Sequence, residues 1–171
     1  MTDLQVLLGG GDLRSIGRVP EVIALIETRP ALFSDLVPLL EHDDPRIRMR
    51  AADAAEKLSR VHPAWLPPHA AQLLDIARRA TQQEVRWHLA PMIARIDWRA
   101  SERREVFALL ESYLADHSRI VQVEALQALV DLAAGDANLT ARARRHLEAL
   151  VSDGSAAVRS RARRLLQRLA L

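Results

Sequence analysis

The chain has 171 residues, 49% of them apolar and 27% charged, which is enough for one domain with a sizeable buried core. It contains no cysteine, which excludes disulfide bonds, thiolate chemistry and cysteine-bound zinc, and no leader or membrane-length apolar run is apparent, so a soluble cytoplasmic protein is expected. The formal net charge is +2, and alanine, leucine and arginine dominate, a composition that favours helices.

The first 29 residues predict an N-terminal capping hairpin. A short apolar helix, Leu4–Leu8, is followed by a break at Gly9–Gly11 and by a second helix, Pro20–Arg29. The glycine-rich break lacks the Gly-Lys-Ser/Thr ending of a phosphate-binding loop and no strand precedes it, so a plain loop is expected. Terminal units of repeat proteins are commonly atypical, which fits this position in the chain.

Four segments after this hairpin repeat about every 37 residues and align without gaps. A β-branched residue stands near the start of each, at Ile47, Val85, Val121 and Val158. Counted from it, positions +4, +7, +8 and +11 are small or apolar, the spacing of one stripe on an α-helix. These sixteen positions are Ala51, Ala54, Ala55, Leu58, Leu89, Met92, Ile93, Ile96, Ala125, Ala128, Leu129, Leu132, Ala162, Leu165, Leu166 and Leu169.

Each repeating helix is preceded by a helix-start signal and by a partner helix. The predicted caps are Asp44 before Pro45, a capping box from Thr81 to Glu84, Ser118 and Ser155. The predicted partner helices are Pro30–Glu41, Pro67–Arg79, Ser101–Ala115 and Asn138–Val151. Pro38 and Pro91 lie inside predicted helices and should kink them. The short loop between each partner helix and its repeating helix predicts antiparallel pairs, which must stack to bury both faces.

The run Asp43–Leu58 resembles the second helix of a HEAT repeat, and Val121–Leu132 and Val158–Leu169 fit that pattern loosely. The chain is also similar to a group of uncharacterised bacterial HEAT-repeat proteins in the stretches Arg14–Arg18, Arg48–Asp53, Glu84–Ala90 and Ala162–Leu166. The resemblance implies an all-α, right-handed α-solenoid of stacked antiparallel helix pairs. The implied single domain, 1–171, divides into a cap, 1–29, and four repeats at 30–60, 61–98, 99–135 and 136–171.

HEAT proteins in general are scaffolds for other macromolecules, with their second helices lining a concave groove. Positions +3, +6 and +10 of the repeating helices lie together on a side of each helix that differs from the apolar stripe. We call these positions the outward stripe. The resemblance implies a non-enzymatic scaffold that holds a protein partner along this stripe. Its charged and polar members are Arg50, Asp53, Lys57, His88, Arg95, Glu124, Gln127, Asp131, Arg161, Arg164 and Arg168.

The charge distribution leaves a nucleic-acid partner as the alternative. Residues 139–171 carry eight arginines against two acidic residues, a net charge of +6, whereas residues 1–138 carry −4. Arginines that neutralise phosphates would give salt-sensitive, non-specific binding. An acidic protein partner fits the same region, and GC-rich codon usage is another source of the arginine bias. The candidate residues are Arg142, Arg144, Arg145, Arg161, Arg164 and Arg168.

Two enzymatic classes of HEAT-like protein are less favoured. Di-iron hydroxylases of this kind carry paired His-Glu dipeptides, and none of the six histidines here precedes a glutamate, so no metal or other cofactor is expected. DNA glycosylases of this kind use tryptophan and aspartate on the concave face. Trp65, Trp87 and Trp98 lie at positions that favour packing between helices instead.

Arginine also recurs at position +1 of the repeating helices, at Arg48, Arg86 and Arg159. Arginine at such a position in repeat arrays often pairs with an acidic residue of the next repeat. We therefore expect these side chains to tie neighbouring helix pairs together. Gln122 interrupts the series in the third segment.

Overall fold

The computed structural model describes residues 3–12 and 15–170, and in these residues the chain is all-helical, without strands. The α-helices are α1 (Asp3–Leu8), α2 (Val19–Thr28), α3 (Phe33–Leu36), α4 (Pro45–Val61), α5 (Ala70–Arg79), α6 (Gln83–Ala94), α7 (Ala100–Tyr113), α8 (Arg119–Leu132), α9 (Ala137–Asp153) and α10 (Ala156–Arg168). Short 3₁₀ helices lie at Pro30–Leu32, Val37–Glu41, Pro63–Trp65 and Pro67–His69. No described helix is long and apolar enough to cross a membrane.

Backbone contacts divide the chain into two compact units, Met1–Met92 and Ile93–Leu171. In the first unit α4 packs against α1, α2 and the 3₁₀ helix Val37–Glu41. In the second unit α8 packs against α7, α9 and α10, and α9 packs against α10. The repeating helix α8 is thus the centre of the second unit.

The repeating apolar positions form the core, as the periodicity predicts. Fourteen of the sixteen are buried, and the exceptions, Leu166 and Leu169, are half-buried near the end of α10. The four β-branched residues at the helix starts are buried as well. Burying each leucine or isoleucine side chain stabilises the fold by roughly 1.5–3 kcal/mol. The alanines at position +4, such as Ala51 and Ala125, are 0% exposed, so neighbouring helices approach them closely.

The first predicted partner helix is interrupted. Residues 30–41 form a 3₁₀ helix, the single-turn helix α3 and a second 3₁₀ helix, Val37–Glu41, rather than one α-helix. Pro38 accounts for the change from α3 to the second 3₁₀ helix, because proline has no N–H to donate to a carbonyl one turn earlier. Pro91 has a milder effect, since it lies inside α6 and the helix continues to Ala94.

Three of the predicted N-cap residues, Asp44, Ser118 and Ser155, occupy N-cap positions, and two of them make the side-chain hydrogen bond. The Asp44 carboxylate and the Ser155 hydroxyl accept backbone N–H groups at the starts of α4 and α10. Ser118 occupies the N-cap position of α8, but its hydroxyl makes no cap hydrogen bond. The turn before α8 is instead held by Asp116, whose Oδ1 accepts from the Ser118 N–H at 2.8 Å.

The side chain at position +1 of each repeating helix fastens the loop in front of that helix. In every repeat it donates to a backbone carbonyl five or six residues earlier, which we call the +1 hydrogen bond. The four bonds join Arg48 to His42 at 2.7 Å, Arg86 to Ala80 at 2.7 Å, Gln122 to Asp116 at 2.6 Å and Arg159 to Gly154 at 2.8 Å.

The acceptor that recurs in all four repeats is therefore a carbonyl of the preceding loop, a contact that the sequence pattern does not suggest. Arg48 does extend further, because its Nε donates to Gln82 Oε1 at 2.9 Å. Gln122 does not interrupt the series in structural terms, since its amide N–H replaces the guanidinium N–H. The four repeats thus share a polar contact as well as an apolar pattern.

Candidate partner-binding cleft

An open cleft of about 450 Å³ lies in the first unit, on the outward stripe of α4 and α6. Its volume is within the range of roughly 300–1,000 Å³ that is usual for ligand sites. Three predicted stripe residues, Arg50, Asp53 and His88, line it. The other lining residues are Ser15, Ile16, Met49, Glu84 and Trp87.

Arg50 is buried rather than open to a partner, which corrects the expectation of a solvent-facing side chain. It is 1% exposed because the N-terminal segment covers it. Its Nε donates to the Ser15 carbonyl, and its Nη2 donates to the Asp12 carbonyl. Its Nη1 donates to the carbonyls of residues 8, 9 and 10 at 2.7, 3.2 and 2.6 Å, where α1 ends. The guanidinium thus supplies donors to the last carbonyl of α1 and to four carbonyls of the segment that follows it.

Gly17 closes this arrangement from the other side. Its φ is +54°, a left-handed conformation that favours glycine. A Cβ added to Gly17 would lie 2.9 Å from the Arg50 Cζ, too close for two carbon atoms. The chain therefore turns onto the face of the guanidinium only because residue 17 has no side chain.

Asp53 and His88 face each other in the cleft, with the His88 Nε2 3.9 Å from the Asp53 Oδ1. Lys57 donates to the other carboxylate oxygen of Asp53, at 2.7 Å. Burial of the imidazole lowers the pKa of His88 from its ordinary 6.5, an effect that Asp53 and Glu56 oppose. His88 is therefore neutral at neutral pH and adds no positive charge to the cleft.

The apolar part of the cleft comes from Ile16, Met49 and Trp87. Ile16 is 52% exposed, while Met49 and Trp87 are half-buried. Trp87 therefore differs from the other tryptophans, which serve packing as expected. Trp98 is buried and donates its indole N–H to the Ile93 carbonyl, and Trp65 contacts the Phe33 ring.

The outward stripe of the second unit is joined by contacts between α8 and α10. Arg168 pairs with Asp131 at 2.6 Å, and Arg161 donates to Gln127 Oε1 at 3.0 Å. Gln127 in turn donates to Asp131 within α8. Glu124 lies 3.9 Å from Arg161. Acidic and basic stripe residues that alternate along the sequence thus neutralise one another within this unit.

The arginines proposed for nucleic acid are mostly engaged in the same way. Arg142 pairs with Glu111 at 2.5 Å and lies over the Phe107 ring. Arg144 donates to the Leu169 carbonyl at 3.0 Å. Arg145 and Arg164 are exposed, and among residues 93–170 neither has an ion pair. Stripe residue Arg95 is half-buried.

Five cleft residues were not predicted from the sequence. Met49 and Trp87 share position +2, one residue before the stripe, and Glu84 precedes the start of the repeating pattern. Ser15 and Ile16 belong to the N-terminal segment, for which only a plain loop was expected. One signal was Gly17, since glycines mark places where a backbone approaches another group closely. Another was the set of stretches that carry the resemblance, because Arg14–Arg18, Arg48–Asp53 and Glu84–Ala90 contain all the lining residues.

No protein-family model matches the chain, and no curated protein sequence matches it. Among solved structures, the chain is similar to the crystal structure of an engineered protein from the Northeast Structural Genomics Consortium. The TM-score is 0.59 with 22% sequence identity, over 98% of this chain and 78% of the engineered protein. At this identity the likeness supports the helical fold and carries no information on activity.

Proposed function

We propose that the chain is a HEAT-type α-solenoid that acts as a non-enzymatic scaffold for a protein partner. The repeated +1 hydrogen bond and the repeated buried stripe support the HEAT assignment, because each repeat closes its helix pair in the same way. The observation that carries the binding role is the cleft, which lies on the stripe and exposes Ile16 beside Trp87. Exposed apolar side chains around a concavity are typical of interaction sites.

A photo-crosslinking amino acid at Ile16, expressed in the native host, tests this proposal. Ile16 lines the cleft and is already exposed, so the substitution should leave the fold intact. The matched control carries the same amino acid at Gln72, which is exposed on α5 in the same unit and does not line the cleft. We expect a protein adduct from position 16 that position 72 does not form. No adduct at position 16, or the same adduct from both, would remove the support for the cleft.

Binding of nucleic acid through the arginine-rich C-terminal third is the second candidate. The observation that favours it is the exposure of Arg145 and Arg164, which have no ion pair in the described part of the second unit. Four of the six candidate arginines make hydrogen bonds inside the same unit, and this weakens the case for nucleic-acid binding. The salt dependence of DNA binding separates the two candidates.

A further inference from the structure

Among the charged side chains of the cleft, the unused hydrogen-bonding capacity is mainly of the acceptor type. Arg50 is the one cationic side chain among the described lining residues, and it donates to five backbone carbonyls. A guanidinium has five N–H groups, so Arg50 has almost no donor left for an anionic ligand.

The two carboxylates of the cleft keep acceptor positions open. The Asp53 Oδ2 accepts a hydrogen bond from Lys57. The Asp53 Oδ1 lies 3.9 Å from the His88 Nε2, which is beyond hydrogen-bonding distance. Glu84 accepts from the Gln83 amide through one oxygen, at 3.2 Å. An ionised carboxylate has about four acceptor sites, so both groups can accept further N–H donors.

The walls beside these carboxylates suit an apolar stem. Ile16, Met49 and Trp87 supply aliphatic, thioether and aromatic surface. Tryptophan is the ring that attracts a cation most strongly, through the negative face of its π system. Neutral His88 does not repel a cation, although Lys57 stands nearby with its ammonium bound to Asp53.

We propose that the cleft binds an arginine or lysine side chain of the partner protein, with the stem against Trp87 and Met49 and the charged end at Glu84 and Asp53. This inference rests on the proposed protein-binding function and adds the chemistry of the partner. A volume of about 450 Å³ holds one long side chain and part of its neighbours. Charge-assisted hydrogen bonds to the carboxylates give the selection for a basic residue.

The test uses two short peptides, each with one central residue flanked by leucine and glycine. One contains arginine and the other citrulline, which has the same shape without the charge. Each is titrated into the ¹⁵N-labelled full chain, and the Trp87 indole N–H signal is followed by NMR after assignment with Trp87→Phe. We expect the arginine peptide to shift this signal. The citrulline peptide should bind at least about tenfold more weakly.

Glu84→Gln is the informative variant, because it removes the charge and keeps the size and the helical position. We expect it to bring the affinity for the arginine peptide close to that for the citrulline peptide, and Asp53→Asn to act in the same direction. Asp35→Asn is the control, since Asp35 is exposed on α3 and does not line the cleft. It should leave both affinities unchanged.

Three outcomes would overturn the inference. The first is equal affinity for the two peptides, or no shift with the arginine peptide. The second is binding of free agmatine as tight as that of the arginine peptide, which would assign the cleft to a small cation. The third is an adduct from position 16 that Glu84→Gln leaves unchanged, which would reject the basic side chain but keep the protein-binding function.

Discussion

Arg50 donates to five backbone carbonyls between Leu8 and Ser15, so one side chain satisfies most of the turn that follows α1. We expect Arg50→Met to lower the free energy of unfolding by about 2–4 kcal/mol, since several covered carbonyls lose their donor together. Arg50→Lys should be intermediate, because an ammonium has three donors and no planar fork. Urea unfolding measures the stability, and amide hydrogen exchange in α1 should rise more than in α5.

Arg104→Met provides the control for this prediction. Arg104 is exposed on α7, so its replacement should change the stability by less than about 0.5 kcal/mol. A similar loss in both variants would mean that the loss does not come from the carbonyls around Arg50.

His88 predicts a pH dependence of stability with a definite sign. Burial lowers its pKa in the folded chain below the ordinary 6.5, so the unfolded chain takes up a proton first as the pH falls. His88 therefore leaves the free energy of unfolding at its full value well above pH 6.5. It lowers this free energy as the pH falls from about 6.5 toward the lower pKa of the folded chain. The charged groups that act on it are Asp53, Glu56, Lys57 and Arg60.

His88→Gln should remove this part of the pH dependence, because glutamine does not titrate. Urea midpoints between about pH 7.5 and pH 5 measure it in both proteins. The expected result is a steeper fall in stability for the wild type than for His88→Gln. Parallel curves would contradict the assignment of this slope to His88.

The residues of the cleft illustrate what helical phase can and cannot predict. The repeat pattern predicts that Arg50, Asp53 and His88 lie on one side of their helices, and all three line the cleft. Phase gives the direction in which a side chain leaves its helix, but not what covers it. Arg50 is buried because a glycine-containing segment distant in sequence folds over it, and Gly17 is the residue that this close approach constrains most.

At the scale of helix pairs, the +1 hydrogen bond makes a prediction about the repeat that lacks arginine. Gln122→Arg should leave the stability nearly unchanged, because arginine makes the same bond in the other three repeats. Gln122→Met keeps a similar volume but leaves the Asp116 carbonyl without this donor, which should cost about 1 kcal/mol. Urea unfolding of the two variants decides the matter. Equal losses in both would show that the bond at this position is not interchangeable.

Two N-cap residues of the second unit, Asp136 and Ser118, predict unequal costs for similar truncations. Asp136 accepts from two backbone N–H groups of α9, so Asp136→Ala should lower the free energy of unfolding by about 1 kcal/mol. Ser118→Ala should cost less than about 0.5 kcal/mol, since its hydroxyl makes no cap hydrogen bond. Thermal or urea unfolding compares the two, and a larger loss from Ser118→Ala would contradict the observed capping.

The presence of helices and their buried positions can be predicted from local sequence. The interruptions within a helix and the hydrogen-bond partners of polar side chains cannot. The stripes of α4, α8 and α10 follow the helical period, which depends only on residues within each helix. The interruption of residues 30–41 depends on how Pro38 is accommodated, and the cap at Ser118 depends on competition from Asp116 two residues away. Both are choices between local hydrogen bonds of similar strength, which a spacing pattern does not rank.

At the scale of the whole chain, the lopsided charge of the sequence is partly removed by folding. Residues 139–171 carry a net charge of +6, but Arg142 and Arg168 pair with Glu111 and Asp131, which precede that region. These acids belong to α7 and α8 of the same unit. Residues 139–171 are therefore less basic in space than along the sequence.

This pairing predicts a shallow salt dependence for any DNA binding. Each phosphate contact contributes about −0.9 to the slope of log K against log salt concentration. Arg145 and Arg164 alone would give a slope of about −2, whereas all six candidate arginines would give about −5. Fluorescence anisotropy with a short DNA duplex between about 50 and 200 mM salt measures the slope.

The double variant Arg145→Glu with Arg164→Glu completes this test, because it reverses the two exposed candidate arginines that have no ion pair among residues 93–170 and leaves the internal pairs in place. We expect the wild type to bind DNA weakly with the shallow slope, and the double variant to lose that binding. A slope near −5 would mean that the internal pairs open to contact phosphates. The nucleic-acid role would then displace the protein scaffold as the better account of the second unit.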